Sequence, residues 1–270
     1  MPELPEVETT RRGLAPWVAG RQLSQVIVRQ RRLRYPVPAG LEAAVAGELI
    51  VALERRGKYL LLCLASGAWL LLHLGMSGSL RRVGRAEPAG RHEHVDLVLD
   101  DGYAVRLKDP RRFGCLLLGA GDPQTHRLLR RLGPEPLGPA FDGDYLYRRA
   151  DGRRAAVKAF LMDASVVVGV GNIYANEALF RAGIRPDRAA GRVSRARYRC
   201  LATAVREVLE EALAAGGTTL RDFTDGTGRP GYFAVALSVY GGSRCPACKG
   251  TLRQLQVAQR GTWFCPRCQR

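Results

Sequence analysis

The sequence predicts an α+β protein of two domains: an antiparallel β-sandwich fronted by a helix, then a helical domain that ends in a zinc-bound β-hairpin. Three observations carry this. Seven short apolar runs crowd residues 22–118 and are separated by turns of hairpin length. After a proline- and glycine-rich stretch the apolar period changes to that of helices. Four cysteines then close the chain in a C-x2-C-x16-C-x2-C array. With 270 residues, 46% of them hydrophobic, there is enough apolar material for two cores.

Taken in order, Leu4, Val7 and Leu14 recur at helical spacing, and Pro5 suits a first helical turn. The strand-like runs are QVIV, ELIVALE, KYLLLCL, AWLLLHL, HVDLVL, YAVRL and GCLLL, with turns such as ASG and DDG between them. Seven such strands argue a sandwich. GPEPLGPAFDGD reads as a linker, which sets the expected domains at 1–133, a linker at 134–152, a helical domain at 153–242 and a zinc finger at 243–270. RRAAVKAFLMD, NIYANEALFRAG and SRARYRCLATAVREVLEEALAAGG read as helices, the last closed by a Gly-Gly stop.

Cys245, Cys248, Cys265 and Cys268 have the spacing of a four-thiolate zinc site, each C-x-x-C turn offering two sulfurs to one ion. The segment TLRQLQVAQRGTWF between the pairs reads as two strands with a turn at Gln259, Arg260 and Gly261. With all four ligands protein thiolates, no position is open to water and one structural Zn2+ per chain is expected. Cys63, Cys115 and Cys200 stand alone in apolar runs and read as core residues.

Lys and Arg total 42 against 25 Asp and Glu, a formal charge of +17. Such an excess is the footprint of a polyanion partner, nucleic acid before membrane, since no basic amphipathic helix with a broad apolar face stands out. There is no run of 18 apolar residues, and the start of the chain is acidic rather than basic and apolar. The expectation is a cytoplasmic monomer with no membrane association.

The chain opens MPELPEVE. Removal of the methionine would leave Pro2 with a free secondary amine, which titrates near roughly 7.7–8.0 and can attack a carbonyl carbon to give a cationic iminium. At a helix N-terminus the dipole disfavours the protonated amine and favours nearby carboxylates, so Glu3 is a candidate proton shuttle. First-turn acid enrichment is the plainer account, and it fits Glu8 best. Farther on, VVVGVGNIYANE sets Asn172 at a helix start, either to receive a phosphate or simply to cap the helix. The long loop GGTTLRDFTDGTGRPGYF, with Phe223, Tyr232 and Phe233, has the size of a functional lid.

Together the segments MPELPEVETTRRGL, RRGKYLLL, HLGMSGSL, DPRRFG, LGPEPL, VGVGNIYANEALF, GGTTLRDF, RPGYF and AQRGTWFC closely resemble the bacterial formamidopyrimidine-DNA glycosylases over essentially the whole chain. That resemblance implies a sandwich domain, a helix-two-turn-helix domain with a zinc finger, and a DNA groove between them. Its implied activity is excision of oxidised purines such as 8-oxoguanine and formamidopyrimidines, with strand cleavage at the abasic site. Leu4 stands where the related endonuclease VIII branch, which prefers oxidised pyrimidines, typically has glycine.

Carried over by motif, Pro2 would attack C1′ of the damaged nucleotide and Glu3 would assist ring opening and later proton transfers, with Glu6 in support. Lys58 would act beside the lesion phosphate, and Asn172 and Arg260 would clamp flanking phosphates. Lys158 and His92 would add DNA contacts. A glycosylase must rotate its target out of the stack; Met76 and Phe113 would fill the vacancy and Arg111 would hydrogen-bond the orphaned cytosine. Arg221 replaces a lysine common in the family, which bears on base preference rather than on the chemistry. Two other readings stand beside this one: a nucleic-acid binder without activity, and a same-fold glycosylase for oxidised pyrimidines.

Overall fold

In a computed structural model of the protein, residues 2–216 and 237–270 are described. Residues up to Arg130 form one compact unit, and Arg131–Ala215 with the described residues from 237 onward form another. Arg221 and most of the long loop expected to act as a lid, including Phe223, Tyr232 and Phe233, lie outside the described residues.

The first unit begins with helix α1 (Leu4–Val18), N-capped by Glu3, with proline in its first turn. Eight strands follow: β1 (Leu23–Val28), β2 (Ile50–Arg56), β3 (Tyr59–Leu64), β4 (Ala68–His73), β5 (Ser79–Gly84), β6 (Glu93–Leu99), β7 (Tyr103–Lys108) and β8 (Cys115–Ala120). A short helix, α2 (Leu41–Val45), lies between β1 and β2. The strands form two antiparallel sheets, ordered β1-β6-β7-β5 and β2-β3-β4-β8. Period-two burial explains the core: Leu60, Leu62 and Leu64 of β3 and Leu70 and Leu72 of β4 meet Leu80, Val95, Leu97, Leu99, Val105 and Leu107 of the other sheet. Val7, Leu14 and Val18 of α1 complete this core.

The seven apolar runs all become strands, and β5 is an eighth that they did not announce. Its sequence SLRRVG breaks the alternation with Arg81 and Arg82. Both are accommodated by partners from elsewhere: Arg81 pairs with Glu87 and Glu93, while Arg82 pairs with Asp101 and lies over the rings of Trp17 and Tyr103. Backbone pairing with β7 runs unbroken from Ser79↔Lys108 to Gly84↔Tyr103.

The second unit holds α3 (Gly143–Ala150), α4 (Val157–Leu161), α5 (Asn172–Arg181), α6 (Arg195–Ala214) and the hairpin β9 (Arg253–Val257) and β10 (Arg260–Phe264). Helix α3 falls in the stretch expected to be linker. It forms because Asp142 caps it, accepting from Tyr145 N at 2.6 Å, and because Phe141 and Leu146 enter the core with Phe160, Tyr174, Leu179, Tyr198 and Leu201. Asp144 binds Arg195 and Arg199 of α6. Gly143 permits that approach, since an added Cβ would lie 2.3 Å from Arg199 Cα. The helix expected over 153–163 is confined to the five residues of α4.

No helix among the described residues is long and apolar enough to cross a membrane.

Candidate nucleic-acid and catalytic site

The N-terminal chemistry is built by a capping box. Glu6 Oε2 accepts from Glu3 N at 2.8 Å, and the Glu3 side chain reciprocally caps the backbone of Glu6. Glu3 and Glu6 are both 2% exposed, and Pro2 is half-buried immediately before the cap. The first turn thus presents Pro2 and Glu3 at the positive end of α1. Glu8 plays another part. Although burial works the other way, bonds from Arg11, Arg12 and Arg55 hold its carboxyl down at about 2, and the pair with Arg55 ties α1 to β2.

Lys58 sits in the tight β2–β3 turn, whose Gly57 has φ +58°. Its charge helps to push His73, at the end of β4, down to about 4; burial of the ring is the larger cause and Arg34 a lesser one. Neutral His73 accepts from Gly75 N through Nδ1 at 2.9 Å, shaping the turn that carries half-buried Met76.

Gly75 also marks a close approach. At φ +64°, an added Cβ would lie 2.5 Å from Gly114 N and 2.6 Å from the carbonyl carbon of Phe113. The Met76 turn and the β7–β8 loop are therefore pressed backbone to backbone. In that second loop Phe113 is 44% exposed, and the Arg111 guanidinium lies 5.0 Å from its ring centroid. An exposed Phe under a cation, on a loop with a rigid base, suits insertion between bases.

The base of the loop is Asp109, which is wholly buried. Its Oδ1 accepts from Arg112 N at 3.1 Å and its Oδ2 from Gly114 N at 2.7 Å. Its own N–H donates to His92 O at 2.9 Å, and its carbonyl accepts from His94 Nε2 at 2.9 Å. His92 itself is half-exposed with φ +71°. The segment before it is held by Arg106, 1% exposed, which donates to Asp96, Glu93 and the carbonyls of Glu87 and Pro88. The structure thus brings Met76, His92, Arg111 and Phe113 into one connected set of loops in the first unit.

In the second unit Asn172 is the first residue of α5, one position inside the Gly171 cap. Its side chain does not cap the helix. Oδ1 accepts from Lys158 Nζ at 2.6 Å, while Nδ2 donates to Gly261 O at 3.2 Å. Lys158, which the resemblance made a DNA contact, has no exposed surface, and Nζ also donates to Gly261 O and Thr262 Oγ1 at 3.0 and 2.7 Å. Its ammonium binds the helix start to the hairpin. One further tie does the same, Trp263 N donating to Asn176 Oδ1 at 2.9 Å, while buried Glu177 fastens α5 to the segment ahead of the hairpin, accepting from Ser238, Val239 and Tyr240 N–H groups at 2.7, 3.0 and 2.8 Å.

The hairpin turn lies at Ala258 and Gln259, with φ +49° and +60°. These are the two central residues of a two-residue loop closed by Arg260↔Val257, so the turn is one to two residues earlier than expected and Arg260 begins β10. Arg260 is exposed there. At the other end, Cys245, Cys248, Cys265 and Cys268 place their sulfurs within 4.8 Å of one another, with Cys245–Cys268 at 3.8 Å and Cys248–Cys265 at 3.5 Å. A tetrahedron with Zn–S bonds of about 2.3 Å has edges of about 3.8 Å, whereas a disulfide needs about 2.05 Å. The four thiolates fit one structural zinc.

Residues 1–116 match the family model of the formamidopyrimidine-DNA glycosylase N-terminal domain, residues 132–224 that of the H2TH domain of the same enzymes, and residues 242–270 the zinc finger found in FPG and IleRS. A formamidopyrimidine-DNA glycosylase of Halorhodospira halophila is 78% identical over 270 residues, covering the whole of both chains. The chain belongs to the formamidopyrimidine-DNA glycosylase family. Another such glycosylase, of Alkalilimnicola ehrlichii, is 62% identical over its full length. Among solved structures, the MutM (FPG) protein of Thermus thermophilus superposes with a TM-score of 0.88 at 43% identity, covering 99% of this chain and 98% of that one. A Lactococcus lactis FPG mutant, solved with DNA containing Fapy-dG, gives 0.90 at 31% identity and 99% coverage of both. Membership in this glycosylase family and the four-thiolate zinc site agree with the sequence reading.

Motif reasoning passed over Asp109, His94, Asn176 and Glu177. Asp109 was visible as the first letter of DPRRFG. The other three carry no local signal, because their partners are 15 to 87 residues away.

Proposed function

We propose that this chain excises oxidised purines, 8-oxoguanine and formamidopyrimidines, from duplex DNA and then cleaves the strand at the abasic site. What supports the chemistry is the first turn of α1: Pro2 directly before a capping box whose two members, Glu3 and Glu6, are buried carboxylates. After removal of Met1, the Pro2 amine attacks C1′, the bond from C1′ to the base breaks, and the base leaves with a proton relayed by Glu3. The C1′–O4′ bond then breaks as Glu3 protonates O4′, and the amine nitrogen, its proton lost, shares its lone pair with C1′ to give an iminium that acidifies C2′–H; loss of that proton drives electrons toward C3′ and expels the 3′ phosphate. A second elimination releases the 5′ phosphate. No redox partner is required.

Lys58 acts beside the lesion phosphate, while Asn172 and Arg260 hold phosphates, with Lys158 fixing both from behind. Met76, Phe113 and Arg111 fill and read the vacated stack, and His92 contacts the backbone. Zinc, when bound, supplies structure to the hairpin and no open coordination position. The setting of the reaction is the bacterial cytoplasm, with the protein on the nucleoid when bound to DNA, and the working unit is a monomer.

Borohydride trapping on duplex DNA containing an abasic site tests the reading. A covalent adduct that maps to Pro2 and vanishes in Pro2→Gly is expected; tight binding with no adduct in the Met1-free protein would overturn it.

A further inference from the structure

Resting on the reading of His92, Arg111, Phe113 and Met76 as DNA contacts, we propose that Asp109 is the positioning residue that sets their three loops in register for reading the base opposite the lesion. It is 0% exposed, so it touches no DNA, yet its four polar groups are shared among the loops. The carboxylate holds Arg112 N and Gly114 N, the two amides that bracket Phe113. Arg112 has φ +56°, an arrangement that disfavours a side-chain-bearing residue by about 1–2 kcal/mol, and the bond to Oδ1 holds that kink in place. The main chain of Asp109 takes His92 O and His94 Nε2, and its carbonyl also accepts from Arg112 N at 3.1 Å, so that amide is shared between carbonyl and carboxylate.

The third loop is reached through packing. Gly114 is enclosed by His73 O and Asp109 Oδ2, at 2.5 and 2.9 Å from a would-be Cβ, and Gly114 N in turn lies against Gly75, next to Met76. Gly114 O accepts from Arg34 N at 3.0 Å, which fixes the remaining side. A displacement of the carboxylate therefore moves Phe113 directly, and Met76 through backbone contact. The Arg112 amide keeps the Asp109 carbonyl as an acceptor, but the buried Gly114 amide, deprived of Oδ2, does not stay in place.

Asp109→Asn keeps the volume but turns an NH2 toward one of the two amides, where donor meets donor. The expected result is a kcat/KM on 8-oxoguanine paired with cytosine lower by about 10- to 100-fold, carried mainly by KM, as for a misplacement of about 1 Å. Discrimination between cytosine and adenine opposite the lesion falls by about fivefold or more. Borohydride trapping on a single-stranded oligonucleotide with an abasic site, which has no opposite base to read, changes much less. Arg111→Ala is measured alongside and must lose the same discrimination.

If Arg111→Ala loses discrimination and Asp109→Asn keeps it, Asp109 is structural only and the proposal fails alone. If Arg111→Ala also discriminates normally, the underlying assignment of the DNA contacts fails and takes the proposal with it. Should Asp109→Asn not fold, His94→Gln, which alters the bond to the Asp109 carbonyl, decides when measured beside His92→Ala, which removes the ring contact between the two histidines: normal discrimination in His94→Gln overturns the proposal, as does a loss that His92→Ala reproduces, and a loss confined to His94→Gln upholds it.

Discussion

Lys158 donates from Nζ to Asn172 Oδ1 at 2.6 Å, joining a wholly buried ammonium to the asparagine that opens α5. The same ammonium reaches Gly261 O and Thr262 Oγ1, so the helix start and the strand that carries Arg260 are set by one cation. In Lys158→Met the apolar stem is kept and three acceptors lose their donor. Unfolding should be easier by about 2–4 kcal/mol, from breaking charge-assisted bonds in a buried setting. Affinity for abasic DNA should fall with it, read by thermal melting and fluorescence anisotropy on the same preparation.

Arg260→Ala separates contact from support. The residue is exposed at the start of β10, whereas the buried side chains of that strand are Thr262 and Phe264. Its removal should leave the melting temperature unchanged, weaken DNA binding, and lower the slope of log affinity against log salt by about one. A fall in melting temperature with no change in salt slope would exclude a phosphate contact.

His73 makes the first unit sensitive to mild acid. Its folded value of about 4 lies below the roughly 6.5 of an exposed imidazole, so between these limits the unfolded chain binds a proton that the folded chain refuses. Stability is therefore complete above about pH 6.5 and is lost as pH falls toward 4, by about 3 kcal/mol in all. Chemical denaturation between pH 4 and 7.5 should show this dependence in the wild type and a flattened one in His73→Asn.

Zinc should be present at one ion per chain in a native mass spectrum. Its removal by a chelator, or Cys265→Ser, should cost DNA affinity, because the strands that hold Thr262, Gly261 and Arg260 are closed by the thiolate cluster. Unchanged affinity after verified loss of the ion would contradict this.

The features written locally in the sequence were the legible ones. Pro2 and Glu3 at a helix start, seven apolar strands, α5 and α6, and the four-thiolate cluster each follow from short-range spacing. Two elements escaped because their stabilisation comes from a distance. Strand β5 carries adjacent arginines that only Glu87, Glu93, Asp101, Trp17 and Tyr103 make acceptable. Helix α3 lies among prolines and glycines that signal a linker, and it exists because Asp144 and Leu146 meet α6 and the second core. At the site, motifs named the exposed tips but not their supports. Lys158 shows the difference: a lysine in a basic chain suggests a phosphate, and only the fold reveals Asn172, Gly261 and Thr262 as acceptors of its ammonium.

Ala258 and Gln259 hold consecutive left-handed backbones without being glycine. Such a bend is uphill by itself, on the order of 1 kcal/mol for each residue, so the loop keeps its shape only while both flanking strands are clamped. The clamp at the far end is made of sulfur, which oxidants attack. The position of Arg260, next to that bend, is thus tied through the two strands to the sulfur cluster at their opposite end.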